Sequence, residues 1–155
     1  MTGVGGFVMI GTRMTREVIL SEQNVQVVQG IYRAFASRDI PAFLGALSPD
    51  VEWISPESLP YGGTYIGPQA VGEEYFGGFV THVGDDFRLE AEEFIDAGND
   101  VVVVARLSGR ARRTGAEFDV PSLQVWSLHD GKVSKLRYLV DTAQVIRAIE
   151  GQPAA

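Results

Sequence analysis

The stretch that most constrains this chain is "FDVPSLQVWSLHDGKVSKLRYLV", Phe118 to Val140. Two runs of strand-like alternation are joined by Asp130-Gly131, which supplies the positive φ angles of a two-residue hairpin turn. In the second run Leu136, Tyr138 and Val140 share one face, and Lys135, Arg137 and Leu139 share the other. In the first run Leu123 and Val125 are read as facing inward. Trp126 and Gln124 are then read as the outer face, with Trp126 a candidate for a dimer surface. Upstream, "DFRLEAEEFIDAG" and "DVVVVARLSGRARR" form another strand pair around "DAGND". The second half of the chain is therefore a run of antiparallel strands.

The first half is helical. Ser21 reads as the N-cap of a helix over Glu22–Ala36, with Val25, Val28, Tyr32 and Phe35 as its buried stripe. Asp39 caps a short second helix that has Pro41 in its first turn and Phe43, Leu44 and Leu47 on its apolar side. A short strand, "DVEWIS", follows. Next come the loop "PESLPYGGTYIGP" and a third helix that Pro68 starts, with Val71, Tyr75 and Phe79 on one side. Helices first and strands second indicate the α+β class: one curved, mostly antiparallel sheet with three helices over its concave face. The expected boundaries are a mobile arm over 1–20, one domain over 21–150 and a disordered tail over 151–155. Met14 also offers a second start.

Composition removes several function classes. The 155 residues suit one core, and they include no cysteine, which excludes thiolate catalysis and disulfides. A net charge of −7 argues against nucleic-acid binding. No apolar run is long enough to cross a bilayer, and the cytoplasm is the default location. His82 and His129 are isolated and show no metal-ligand spacing, so neither metal nor cofactor is expected. Arg106, Arg110, Arg112 and Arg113 crowd one hairpin, where Asp119 can pair with one of them.

Three stretches, "VVQGIYRAFASRDIPAFLGALSPDVEW", "YGGTYIGPQAV" and "VWSLHDGKVSKLRYLVDTAQVIRAI", in this order resemble the nuclear transport factor 2-like superfamily. Within it the chain looks like the SnoaL-like, ketosteroid-isomerase-related group. That resemblance implies a cone-shaped α+β barrel with an apolar pocket between sheet and helices, and a homodimer through the outer sheet face. It also implies a small hydrophobic ligand. The ketosteroid isomerase residues do not carry over. The first-helix Tyr falls at Ile31, the base Asp at Ser55 and the oxyanion Asp at Leu123; only the supporting Tyr75 matches. Steroid isomerisation by that mechanism is therefore rejected. SnoaL-like polyketide cyclases are similar in ending the last strand with an acid/base Asp, here Asp141. In limonene-epoxide hydrolase relatives the catalytic Asp lies at the position of Tyr138, where a phenol can donate a hydrogen bond but cannot act as a base near neutral pH.

The leading expectation is a cofactor-free enzyme performing aldol cyclisation, isomerisation or dehydration on a small hydrophobic carbonyl compound. Asp141 would move the proton and Tyr138 would stabilise the oxyanion. Tyr61, Ser55, Trp53, Tyr75, Leu123, Leu136 and Val140 would contact the substrate. The alternative is a non-catalytic small-molecule-binding or dimeric interaction module, and the third option is an epoxide hydrolase. Asp141 also has a purely structural reading. Asp is a favoured N-cap, and Gln144 three residues on completes a capping-box pattern. A helix N-terminus moreover lowers a carboxylate pKa, which is the wrong direction for a base.

Overall fold

A computed structural model describes residues 2–151, with side chains described from residue 16 onward. Helix α1 (Thr2–Ser37) leads into α2 (Ile40–Gly45), β1 (Leu47–Ser55) and β2 (Gly63–Ile66). Two α-helical pieces follow, α3 (Pro68–Ala70) and α4 (Phe76–His82), separated by a π-helical turn over Val71–Tyr75. Strands β3 (Arg88–Ala97), β4 (Asp100–Arg110), β5 (Glu117–His129) and β6 (Lys132–Val140) precede the terminal helix α5 (Thr142–Glu150).

The six strands make one sheet in the order β2-β1-β6-β5-β4-β3. Only β1 and β6 run parallel; every other pair is antiparallel. Register shifts interrupt β1–β6, β3–β4 and β5–β6. Such bulges bend a strand and increase its twist, and the sheet curves around its helices. Val51, Val101, Val103, Val120 and Val133 on its inner face are fully buried, as is Val28 of α1. This is the α+β architecture expected. No helix of the described residues is long and apolar enough to cross a membrane.

Several local readings hold. Asp130 and Gly131 take φ of 50° and 76°, the double positive φ of the expected turn. Asp39 caps α2 by accepting from the Ala42 amide at 3.1 Å. Arg106 pairs with Asp119 at 2.8 Å. Ser21 is different: α1 runs straight through it, and its hydroxyl bonds back to the Val18 carbonyl at 3.0 Å. Nothing in "REVILSEQ" stops a helix, so α1 continues through a polar residue whose type alone suits a helix start. The arm expected over 1–20 and the tail over 151–155 fall mainly outside the described side chains.

The parity of β5 corrects the sequence reading. Leu123 and Val125 lie on the outer face, only half-buried, whereas Gln124 and Trp126 point inward and are each 1 % exposed. The cause is a bulge. The hairpin starts with His129 opposite Lys132 and Leu128 opposite Val133, but Ser127 then pairs with Lys135. One β6 residue, Ser134, is skipped. A straight count would set Leu123 against Tyr138; the bulged ladder sets Gln124 there instead. Leu123 is therefore not a pocket residue, and Trp126 and Gln124 are not on the outer face.

Candidate functional site

The inner surface is lined by aromatics. Trp53 of β1 packs against Tyr75, Phe76, Phe43 and Trp126 with ring centroids 5.4–5.8 Å apart. Tyr61 stands edge-on to Phe79 at 5.2 Å and to Tyr75 at 5.9 Å. Gly78 permits this approach of α4, since a Cβ there would lie 3.0 Å from the Tyr61 Cβ. At the centre remains a space of about 30 Å³ bordered by Trp53, Tyr75, Gln124, Trp126, Leu136 and Tyr138. That is room for about one water molecule. Outside lies an open, mostly apolar groove of about 550 Å³ between the end of α1, α2 and α4. Phe35, Phe76 and Phe87 border both spaces and form the wall between them.

The polar groups behind that wall are the candidate site. Tyr61, Tyr75 and Tyr138 are 3 %, 4 % and 8 % exposed. Burial pushes the Tyr138 phenol well above its ordinary value, and the neighbouring phenols of Tyr75 and Tyr61 add to the shift. Tyr75 is pushed up to about 12 by burial, with Ser55 and Trp53 pulling it partly back. Tyr61 is raised by burial and then by Tyr75. Neither Ser55 Oγ nor Trp53 Nε1 closes a hydrogen bond of normal geometry; both are buried without a partner. A buried polar atom left unpaired costs about 1–3 kcal/mol, so these orphans mark a place where another polar group belongs.

A second polar group was missed from sequence. Tyr32 bonds to Gln124, and Gln124 bonds to Ser122. The Trp126 indole donates to the Tyr32 hydroxyl at 3.3 Å. The first-helix position assigned by resemblance, Ile31, is buried and apolar, and the phenol that enters the interior comes from the next residue. The signal was present in the even-numbered apolar set of β5, Phe118, Val120, Trp126 and Leu128, which puts Gln124 on the same face.

The structure thus gathers Tyr138, Tyr75, Trp53 and Leu136 around one space, with Ser55 and Tyr61 packed behind it. Val140 shares the inner-face row with Ser122 but does not border the space. Asp141 does not join them. It is the N-cap of α5: Oδ1 accepts from the Gln144 amide N–H at 3.3 Å, and Oδ2 from Gln144 Nε2 at 2.8 Å. It lies at the surface, and the Gln144 side chain, then the Gln144 backbone, hold its carboxyl below the usual carboxylate range. An exposed, low-pKa carboxylate committed to a helix end is a poor proton acceptor at neutral pH. The acid/base role expected for Asp141 is withdrawn on these grounds. Among the described residues, no carboxylate or imidazole borders the interior space.

The profile of the SnoaL-like domain matches residues 28–136. No curated protein sequence is similar enough to count as a relative. Among solved structures, a nuclear transport factor 2-like protein of unknown function from Burkholderia pseudomallei is 35 % identical. The match covers 82 % of this chain and 97 % of that one, with a TM-score of 0.77. A nuclear transport factor 2-like protein from Burkholderia thailandensis is 29 % identical over 84 % of this chain and 98 % of its own, with a TM-score of 0.78. TerC, crystallised with polyporic acid, is 30 % identical over 83 % of this chain and 98 % of its own, with a TM-score of 0.76.

Proposed function

The chain belongs to the SnoaL-like domain family, and from that premise we propose that it binds a small apolar carbonyl compound inside the cone and polarises the carbonyl oxygen through Tyr138. The observation that carries this reading is the set of buried phenols of Tyr138, Tyr75 and Tyr61, gathered inside the cone with Ser122 beside Tyr138 and with Ser55 and Trp53 beside Tyr75 as their polar neighbours. A phenol held above its ordinary pKa stays protonated at neutral pH and serves as a donor. Surrounded by aromatics, such donors suit a ligand that is greasy except for one acceptor oxygen. The crystallisation of TerC with polyporic acid supports an organic ligand for a close structural relative.

Entry is through the wall of Phe35, Phe76 and Phe87, because the interior is nearly filled. Phe76 follows a π-helical turn and precedes Gly77 and Gly78. Single π turns recur at functional sites, and this one gives the wall a place to yield.

A second reading, catalysis, is favoured by the same donors. A neutral phenol stabilises an enolate more than a ketone, so isomerisation, aldol closure or dehydration is open to a substrate that carries its own basic group to take up the proton lost from carbon. The homodimer also remains a proposal: Ile66 and Leu139, on the outer sheet face, are each 59 % exposed, and sedimentation as a monomer would remove it.

The test uses 1-indanone and indane, which differ by one carbonyl. The protein should bind 1-indanone about tenfold tighter, the worth of one good hydrogen bond. Tyr138→Phe should erase most of that preference. Equal affinity for the two compounds in the unaltered protein would overturn the reading.

A further inference from the structure

The hydrogen bonds from Trp126 to Leu139 have a direction fixed by their two ends. An indole N–H can only donate, so Trp126 Nε1 donates and Tyr32 Oη accepts. The Tyr32 proton then goes to Gln124 Oε1. That places the amide nitrogen toward Ser122, and Nε2 donates to Ser122 Oγ. The Ser122 hydroxyl donates onward to the Leu139 carbonyl at 3.2 Å, which can only accept. Turned the other way, the amide would leave the Tyr32 proton without an acceptor, so Gln124 is held in one orientation.

Gln124 uses one of its two amide N–H groups on Ser122. No acceptor for the other is found among the described residues. The side chain is 1 % exposed and borders the interior space. It is also the cross-strand partner of Tyr138, and facing side chains in such a pair stand about 5 Å apart at Cβ.

We propose that Gln124 is a specificity-determining donor for the ligand, oriented by Tyr32 and acting beside Tyr138. The inference rests on the reading that a carbonyl compound enters the interior, and it narrows the ligand class. Two adjacent donors demand an oxygen with two acceptor lone pairs, a carbonyl or an enolate. A ligand that presents an N–H at the same place meets donor against donor. Tyr32 is then a positioning residue, since it reaches the ligand only through Gln124.

The experiment compares 1-indanone with indole, which carries an N–H on a ring system of similar size. The unaltered protein should prefer 1-indanone by about tenfold. Gln124→Leu should bring that ratio to within about twofold of one, because the remaining Tyr138 hydroxyl accepts from an N–H as readily as it donates to a carbonyl. Tyr32→Phe frees the amide to turn and should also collapse the ratio, a result that loss of packing alone would not give. If either variant fails to fold, the side-chain NH2 signals of Gln124 in the unaltered protein decide by NMR. They should move on addition of 1-indanone and stay in place with indane. A ratio preserved in Gln124→Leu, or amide signals blind to 1-indanone, would overturn the role of Gln124. If Tyr138→Phe still weakens 1-indanone in that case, the proposed function survives without it; if 1-indanone binds no better than indane, both fall.

Discussion

Alkaline pH should unfold this domain through its phenols. Tyr32, Tyr61, Tyr75 and Tyr138 are buried, and burial raises each above the ordinary value of 10.0. Below pH 10 both folded and unfolded chains keep these protons, and the contribution to stability is full. Above it the unfolded chain releases them while the folded chain does not, so the unfolded state holds fewer protons and stability falls as pH rises. Each group contributes a slope of about 1.36 kcal/mol per pH unit. Four phenols at that slope come to about 5.4 kcal/mol per unit, easing once Tyr75 ionises in the folded state at about 12. A typical domain has about 5–15 kcal/mol to lose, so unfolding belongs about one to three units above pH 10. The assay follows phenolate absorbance and circular dichroism through one titration. The four phenols should ionise in the same cooperative step that destroys the secondary structure. A gradual, reversible absorbance rise centred near 10 with an unchanged dichroism spectrum would refute their burial.

Three further outcomes follow from single positions. Ser55→Ala removes a buried hydroxyl that has no partner, and should raise stability of the ligand-free protein by about 1 kcal/mol in urea unfolding; an equal fall would mean that the hydroxyl is paired in solution. Gly62→Ala would set a Cβ 1.8 Å from the Pro56 carbonyl oxygen, so the variant should lose more than about 3 kcal/mol or fail to fold; a fully stable variant would show that this loop is built differently. Asp141→Ala should lower Tm by about 2–4 °C through loss of the cap while 1-indanone still binds. Because the folded carboxyl is held below its ordinary value, the contribution of the cap is complete at neutral pH and is lost as pH falls through that lowered value. The variant should therefore show a shallower acid-side loss of stability, and an unaltered acid limb would exclude the cap.

Much of this architecture is legible in the alternation and turn chemistry. Asp130-Gly131 gives the last hairpin, Asp39 and Asp141 sit where caps are expected, and Tyr138, Tyr75, Trp53 and Leu136 border one interior space. The failures have physical causes. Strand β5 has its larger apolar set on the even face with Gln124, but a straight hairpin count puts Leu123 opposite Tyr138 instead. The bulge that skips Ser134 reconciles the two, and no local propensity announces it. The polar chain through Tyr32 and Gln124 is legible only once that face is chosen. For Asp141 the sequence favours a cap over a base without excluding a free oxygen turned inward, and here both oxygens serve Gln144. The narrowness of the interior depends on how Phe35, Phe76 and Phe87 meet across three separate elements, which lies beyond any local pattern.

The central claim is that buried hydroxyl donors polarise a ligand carbonyl, and the carbonyl stretching frequency of bound 1-indanone measures that polarisation directly. In the complex it should fall below its value in an apolar solvent, and in the Tyr138→Phe complex it should return most of the way. A bound ketone with the frequency it has in an apolar solvent, alike in both proteins, would contradict the account.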